Sequence, residues 1–301
     1  MNIHLENVNL YSTSGPNHFA NKLVKYLKKL DVSFNSKDSP YARLCFIESN
    51  RTQFDEAPLI QRLDGIYFNS AQNYKIQNHN IKRTHDNASG VVYQSHFNKN
   101  LITKYFGMHE KSIVIHNGAD VDYIESVDPM QTKILDKYEN VWSCASSWRP
   151  HKRLRENIRY FLEHSSEKDC MVVAGTIAMK PYEDERIFYV GNLDINQLIS
   201  LYKRSNYFVH LAWLDHCPNV VVDARASNCQ IICSSAGGTQ EIAGSDAIII
   251  EEDKWDFEPV RLYEPPQLNF DKKTNNAHDV NYNMDAVAKK YYHFIKDVGN
   301  R

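Results

Sequence analysis

The sequence predicts an α/β fold: two parallel-sheet domains and a C-terminal helix. Three observations predict it. Apolar strand-like runs alternate with stretches of helical periodicity along nearly the whole chain, and the alternation breaks once, in the polar segment 119–138, before it resumes. The length, 301 residues, suits two modest domains of about 100–200 residues each. Strands and helices in alternation imply parallel sheets covered on both faces.

Taken in order, MNIHLENVNLY reads as a strand, SGPN as a turn and HFANKLVKYLKKL as an amphipathic helix with Phe19, Leu23, Leu27 and Leu30 at turn-like spacing. Strands follow at Leu44 to Glu48, Leu59 to Leu63, Val91 to Ser95 and Ser112 to His116, with the helix HFNKNLITKYFG between the last two. After Asn117-Gly118 the polar connection begins. The second half then reads VWSCASS strand, RLRENIRYFLEH helix, DCMVVAG and RIFYVG strands, DINQLISLYKRS helix, YFVHLAW strand, NVVVDARAS helix, and QIICSS and AIIIEE strands. Residues 252–284, rich in Asp, Asn and Pro, read as a long surface segment, and NMDAVAKKYYHFIKDV as a final helix. The boundaries are 1–120 for the first domain, 121–138 for a linker, 139–284 for the second domain and 285–301 for the C-terminal helix.

Composition narrows the function. A hydrophobic fraction of 42% with 24% charged residues is that of an ordinary globular chain, not a disordered one. The net charge of -2 argues against a general polyanion binder, since nonspecific nucleic-acid binding needs an excess of Lys and Arg. The N-terminus has neither a basic start with an apolar run nor a small-residue cleavage site, and no apolar run approaches the roughly 18 residues of a membrane span. A cytoplasmic protein is expected. Cys45, Cys144, Cys170, Cys217, Cys229 and Cys233 lie mostly in strand-like runs and form no CxxC pair, so buried reduced thiols are expected and no metal site.

The chemistry concentrates in LDHCPNVVVDARASNCQIICSSAGGTQEIAG, residues 214–244. Ligands of open parallel sheets bind beyond the carboxyl ends of the strands, and Asp215 lies just past YFVHLAW. Asn219 reads as an N-cap, which puts Asp223 about one turn into the next helix, near free N–H groups that attract anions. A carboxylate there repels phosphate unless it serves another group, and a vicinal diol, donating two hydrogen bonds, is such a group. On spacing alone the commoner reading is that Asp223 is an ordinary first-turn acid and Asp215 a loop residue.

The order of a strand, an acid, Cys-Pro, a second acid eight residues after the first, a small-residue helix, a strand and then GGTQE resembles the signature of the retaining glycosyltransferases of family four, which have the GT-B fold. VIHNGAD (114–120), SSWRPHKRL (146–154), FYVGNLDINQLISLYKRSNYFVHLAW and SGPNHFANKL are similar to further segments of that family. The match is weak over residues 30–90 and clear from 112 to 250. The resemblance implies two facing Rossmann-like domains and transfer of a sugar from a nucleotide diphosphate sugar to an acceptor hydroxyl, with retention, no required metal and no cofactor beyond the donor itself. It implies that Asp223 holds the ribose diol, that Asp215 holds hydroxyls of the donor sugar, and that the donor-binding segment His216, Cys217, Pro218 and Asn219 turns backbone N–H groups toward the sugar and distal phosphate. Lys152, with Arg149 as its partner, would neutralise the diphosphate as the glycosidic bond breaks. Gly191 and Asn192 would lie against the base, and Gly15 would let the backbone approach the phosphates.

The chain also departs from the family pattern. Both family glutamates are aspartates here, shorter by about 1.5 Å. Aligned on Lys152, the family arginine falls at Ser147, two residues before Arg149, and His216 stands at a family glycine. Where the family presents a histidine from the first domain, Asp64, with Arg62 near it, follows the strand LIQRL; an ordinary turn aspartate before Gly65 is the competing reading. Asp120-Val121-Asp122 reads as a turn rather than a metal motif, and His85-Asp86 as surface polarity. Two other classes stay open: an epimerase or hydrolase of nucleotide sugars on the same fold, and a noncatalytic nucleotide-sugar-binding subunit. Donor identity, acceptor, a peripheral membrane contact and oligomeric state stay open as well.

Overall fold

Strands β1 (Asn2–Glu6), β2 (Ser33–Phe34), β3 (Ala42–Phe46), β4 (Leu59–Leu63), β5 (Gly90–Tyr93) and β6 (Ser112–Val114) make a six-stranded sheet in the order β2-β1-β3-β4-β5-β6, with every pair parallel. Helices α1 (Gly15–Lys28), α2 (Tyr74–Asn87) and α3 (His96–Phe106) connect them. The computed structural model describes residues 1–12, 14–51, 57–178, 180–275 and 279–300. By its contacts the chain divides into two units. One is formed by Met1–Gly118, Asp256–Val260 and the chain from Asn281 on, the other by Ala119–Trp255 and Arg261–Val280.

In α1 the periodicity is realised: Phe19, Leu23 and Leu27 are fully buried. The helix begins earlier than its apolar stripe, because Pro16 in its first turn lacks only an N–H that has no helical partner there. Helix α2 has no such stripe and was not expected. Its sequence YKIQNHNIKRTHDN carries Ile76, which is 71% exposed, and buries Asn78, Ile81, Thr84 and His85 instead. His85 therefore is not surface polarity. Its ring sits against Phe106 and His109, and burial lowers its pKa to about 4.

The second unit repeats the plan. Strands β7 (Asn140–Ala145), β8 (Asp169–Ala174), β9 (Ile187–Gly191), β10 (Tyr207–His210), β11 (Gln230–Ser234), β12 (Ile248–Ile250) and β13 (Lys273–Thr274) stand in the order β13-β12-β11-β10-β7-β8-β9. All pairs are parallel except β12 with β13. Helices α4 (Val121–Ser126), α5 (Leu154–His164), α6 (Ile195–Arg204) and α7 (Asn219–Ala226) link them. Strand order reverses at β7, whose neighbours are β8 and β10, so the carboxyl ends of β7 and β10 frame the crevice where such sheets take ligands. Asp120 caps α4 by accepting from Tyr123 N at 3.2 Å, the turn role expected of it.

Residues 252–284 are more than a surface segment. Leu268 and Phe270, each 4% exposed, join the core of the second unit, and Asp256–Val260 packs with the first. The last helix, α8 (Met284–Gly299), seats Met284, Val287, Tyr291, Phe294, Ile295 and Val298 in one cluster with Ile3, Phe19, Leu23 and Leu27 of the first unit. Each such large buried side chain contributes about 1.5–3 kcal/mol, so α8 is part of that unit's core. All six cysteines are unpaired and buried, and burial pushes the Cys229 and Cys233 thiols up to about 12. The fold is thus the expected one, two Rossmann-like α/β units with a C-terminal helix. Among the described residues no helix is long and apolar enough to cross a membrane.

Candidate functional site

Two loops at the carboxyl edge of the second sheet build the site. The first leaves β7 at Ala145, makes a single 3-10 turn over Pro150–Lys152, and enters α5 through Arg153 in the left-handed conformation, φ 52°. A side chain there is strained, and the strain is held by the Arg153 guanidinium, which is buried and donates twice to Glu252 at 2.7 Å and to Pro266 O at 2.8 Å. The second loop leaves β10 at His210 and passes Leu214, φ 56°, to Asp215. Gly237 closes on it: its φ is +114° and a Cβ there would stand 2.6 Å from Asp215 O, so only glycine allows the approach. Gly238 N then donates to Asp215 O at 2.7 Å. This is the physical use of the double glycine.

The Asn157 side chain and one backbone bond stitch the two loops together. Asn157 donates to Lys152 O at 3.1 Å and accepts from Leu211 N at 3.0 Å, and Trp213 N donates to His151 O at 2.7 Å. In consequence Lys152 Nζ donates to Asp215 Oδ2 at 2.5 Å, across a sequence gap of 63 residues. The same oxygen accepts from His210 Nε2 at 2.9 Å, and Oδ1 accepts from His216 N at 3.0 Å. A carboxylate only accepts, so His210 carries its proton on Nε2. Burial pushes the Asp215 carboxyl up, but the Lys152 ammonium and the His210 imidazole outweigh burial and hold it well below the usual range. Burial also lowers His210, against the pull of Asp215, and takes His216 to about 4 and His151 to about 3, the last with help from Lys152. At neutral pH the Asp215 carboxyl is therefore ionised and the imidazoles around it are neutral.

The other sequence-derived residues fall as follows. Asp223 lies on α7 and is 5% exposed. Asn219 is the first residue of that helix, not its cap: Pro218 caps it with φ -68° and no side-chain bond. The N–H row from 216 to 219 is also shorter than expected, since Pro218 has no N–H and that of His216 is engaged by Asp215. Cys217 is buried. Arg149 is exposed at the start of the 3-10 turn, and its charge is among those that lower His151. Gly191 ends β9 with φ +67° and open space where a Cβ would be, while Asn192 Oδ1 accepts from Thr176 N at 3.0 Å. In the first unit, Gly15 is exposed at the first position of α1. Asp64, at the end of β4, is ion-paired with Arg62, a fully buried guanidinium between the Phe19 and Phe46 rings that also donates to Asn117 at 2.7 Å and Tyr291 Oη at 3.1 Å. Sequence reasoning missed His210, His151 and Asn157. The signal for His210 was present: it ends a parallel strand five residues before Asp215.

A glycosyltransferase from Rickettsia africae ESF-5 aligns with 99% of this chain and 98% of its own, with a TM-score of 0.63 and 17% identity. Sucrose-phosphate synthase from Thermosynechococcus elongatus aligns over 99% and 98%, with a TM-score of 0.66 and 11% identity. Anabaena HepE in complex with UDP aligns over 98% and 99%, with a TM-score of 0.65 and 12% identity. The fold is that of GT-B glycosyltransferases. No family model and no curated protein matches the sequence.

Proposed function

We propose that this chain is a retaining, metal-independent glycosyltransferase that moves a sugar from a nucleotide diphosphate sugar to an acceptor hydroxyl. The observation that carries the reading is the Lys152–Asp215 pair, 2.5 Å apart at the switch point of the second sheet, beside the amino end of α7. A diphosphate leaving group gains negative charge as the glycosidic bond breaks. Of the three N–H bonds of the Lys152 ammonium one is on Asp215, which leaves two for phosphate oxygens, and the amide end of α7 adds a positive partial charge. Preorganised charge of this kind needs no metal ion to stabilise the departing diphosphate. Glycosyltransferases share the fold, and the Anabaena neighbour was solved with UDP and with UDP-glucose.

In this reading Asp223 holds the ribose diol, Gly191 and Asn192 flank the base, and Arg149 supplements Lys152. His216, Cys217, Pro218 and Asn219 line the donor sugar. The acceptor attacks from the face the diphosphate leaves, and a phosphate oxygen takes its proton. The test is thermal stability without added metal against UDP-, GDP-, ADP- and TDP-sugars. A true donor at a hundredfold over its Kd stabilises by about 2.7 kcal/mol; Asp223→Ala should abolish the shift and Lys152→Ala should reduce it. Full transfer activity in both variants would sink the assignment. An anomeric configuration inverted in the product would sink retention alone, and turnover without an acceptor would point to an epimerase or hydrolase.

A further inference from the structure

A lysine side chain is flexible, and a diphosphate charge clamp works only if the ammonium is held where the charge develops. We propose that His210 is a positioning residue for Lys152 and acts through Asp215; the inference rests on the transferase reading above. His210 is 3% exposed at the end of β10, so its ring has the rigidity of the sheet. Its Nε2 donates to the same Asp215 oxygen that receives Lys152 Nζ, at 2.9 and 2.5 Å.

With His216 N on the other oxygen, three of about four lone-pair positions of the Asp215 carboxylate are filled. The Asp215 backbone is pinned as well, by the approach of Gly237 and the bond from Gly238 N. A line of fixed contacts therefore runs from strand to imidazole to carboxylate to ammonium. Packing alone does not call for an imidazole there, since an apolar side chain fills a buried strand end without the cost of burying a polar ring. What the imidazole adds is one directed N–H, aimed at the one carboxylate that holds Lys152. Remove it, and the carboxylate turns with the lysine instead of holding it. Asp215 thereby gains a role besides the donor-sugar contact, with one lone-pair position left for a hydroxyl.

The experiment is calorimetric titration of UDP, or of whichever of UDP, GDP, ADP and TDP the wild type binds. The variants are His210→Phe, His210→Gln, Lys152→Ala and the His210→Phe/Lys152→Ala double. His210→Phe should weaken binding about tenfold, close to the lower end of what a hydrogen bond to a charged group contributes. His210→Gln should restore most of it, because the glutamine amide nitrogen takes the place of Nε2. In the Lys152→Ala background His210→Phe should cost nothing more, a non-additivity that a merely structural histidine does not produce. Should His210→Phe not fold, His210→Asn takes its place, since its shorter amide stops short of Asp215. Wild-type affinity in His210→Phe, or losses that add in the double variant, would overturn this inference alone. A wild type that binds none of the four nucleotides would overturn the transferase reading beneath it.

Discussion

Removing Glu252 is expected to unfasten the loop that carries Lys152. Arg153 enters α5 in the left-handed conformation, directly after Lys152, and its guanidinium is held by two bonds of 2.7 Å to Glu252, one of 2.8 Å to Pro266 O and a weaker one of 3.4 Å to Leu211 O. The two side chains are 1% and 7% exposed, so water reaches neither. Glu252→Ala leaves a buried guanidinium with carbonyl oxygens alone, and breaking such a pair costs about 3–5 kcal/mol. That is a large part of a total stability of about 5–15 kcal/mol. At about 2–4 °C per kcal/mol for a domain of this size, the melting temperature should fall by about 6–20 °C.

Urea unfolding followed by tryptophan fluorescence is the assay, because Trp142, Trp148, Trp213 and Trp255 all lie in the second unit and report on it selectively. The apolar pair Arg153→Met with Glu252→Leu should recover most of the loss, since replacing both partners of a buried pair is often neutral. A loss below about 1 kcal/mol in Glu252→Ala would show the guanidinium solvated after all and refute the reasoning.

Gly237→Ala forces a side chain into φ +114° and to 2.6 Å from Asp215 O, so Asp215 must move; nucleotide binding should fall with stability, and thermal shift with and without UDP reads both. Stability should also fall as the solution is acidified below pH 6.5. The folded-state pKa values of His85, about 4, and His151, about 3, are depressed, so the unfolded chain binds their protons first and stability is lost from pH 6.5 down to about 4 for His85 and about 3 for His151. The slope is at most about 1.4 kcal/mol per pH unit for each histidine, and urea midpoints at pH 7, 6 and 5 measure it. A flat profile over that window would place both rings in water.

Much of this protein was legible because its cues are local. Strand and helix alternation depends on short-range periodicity, and in the second half it located every helix from α5 to α7 and the strands around them. The rule that parallel sheets bind ligands past their carboxyl ends then singled out Asp215 before any coordinates, and the family resemblance singled out Lys152. Helix α2 escaped because it forms without an apolar stripe: Asn78, Thr84 and His85 are buried by what α2 packs against, which no window of its own sequence records. Leu268 and Phe270 escaped for the same reason, being apolar residues in a polar stretch that find a core formed elsewhere.

By itself, then, the sequence determined two parallel-sheet units, the helix that ends the chain, the burial of the cysteines and the loops that carry chemistry, since each is written in spacing over a few residues. Only the tertiary structure decided which groups meet. The ammonium of Lys152 and the imidazole of His210 share one oxygen of Asp215, and the arginine next to that lysine is held by Glu252, 99 residues away. The Lys152 and Arg153 contacts close loops of tens of residues, and their geometry is set by the order of strands in the sheet, which a linear pattern does not contain.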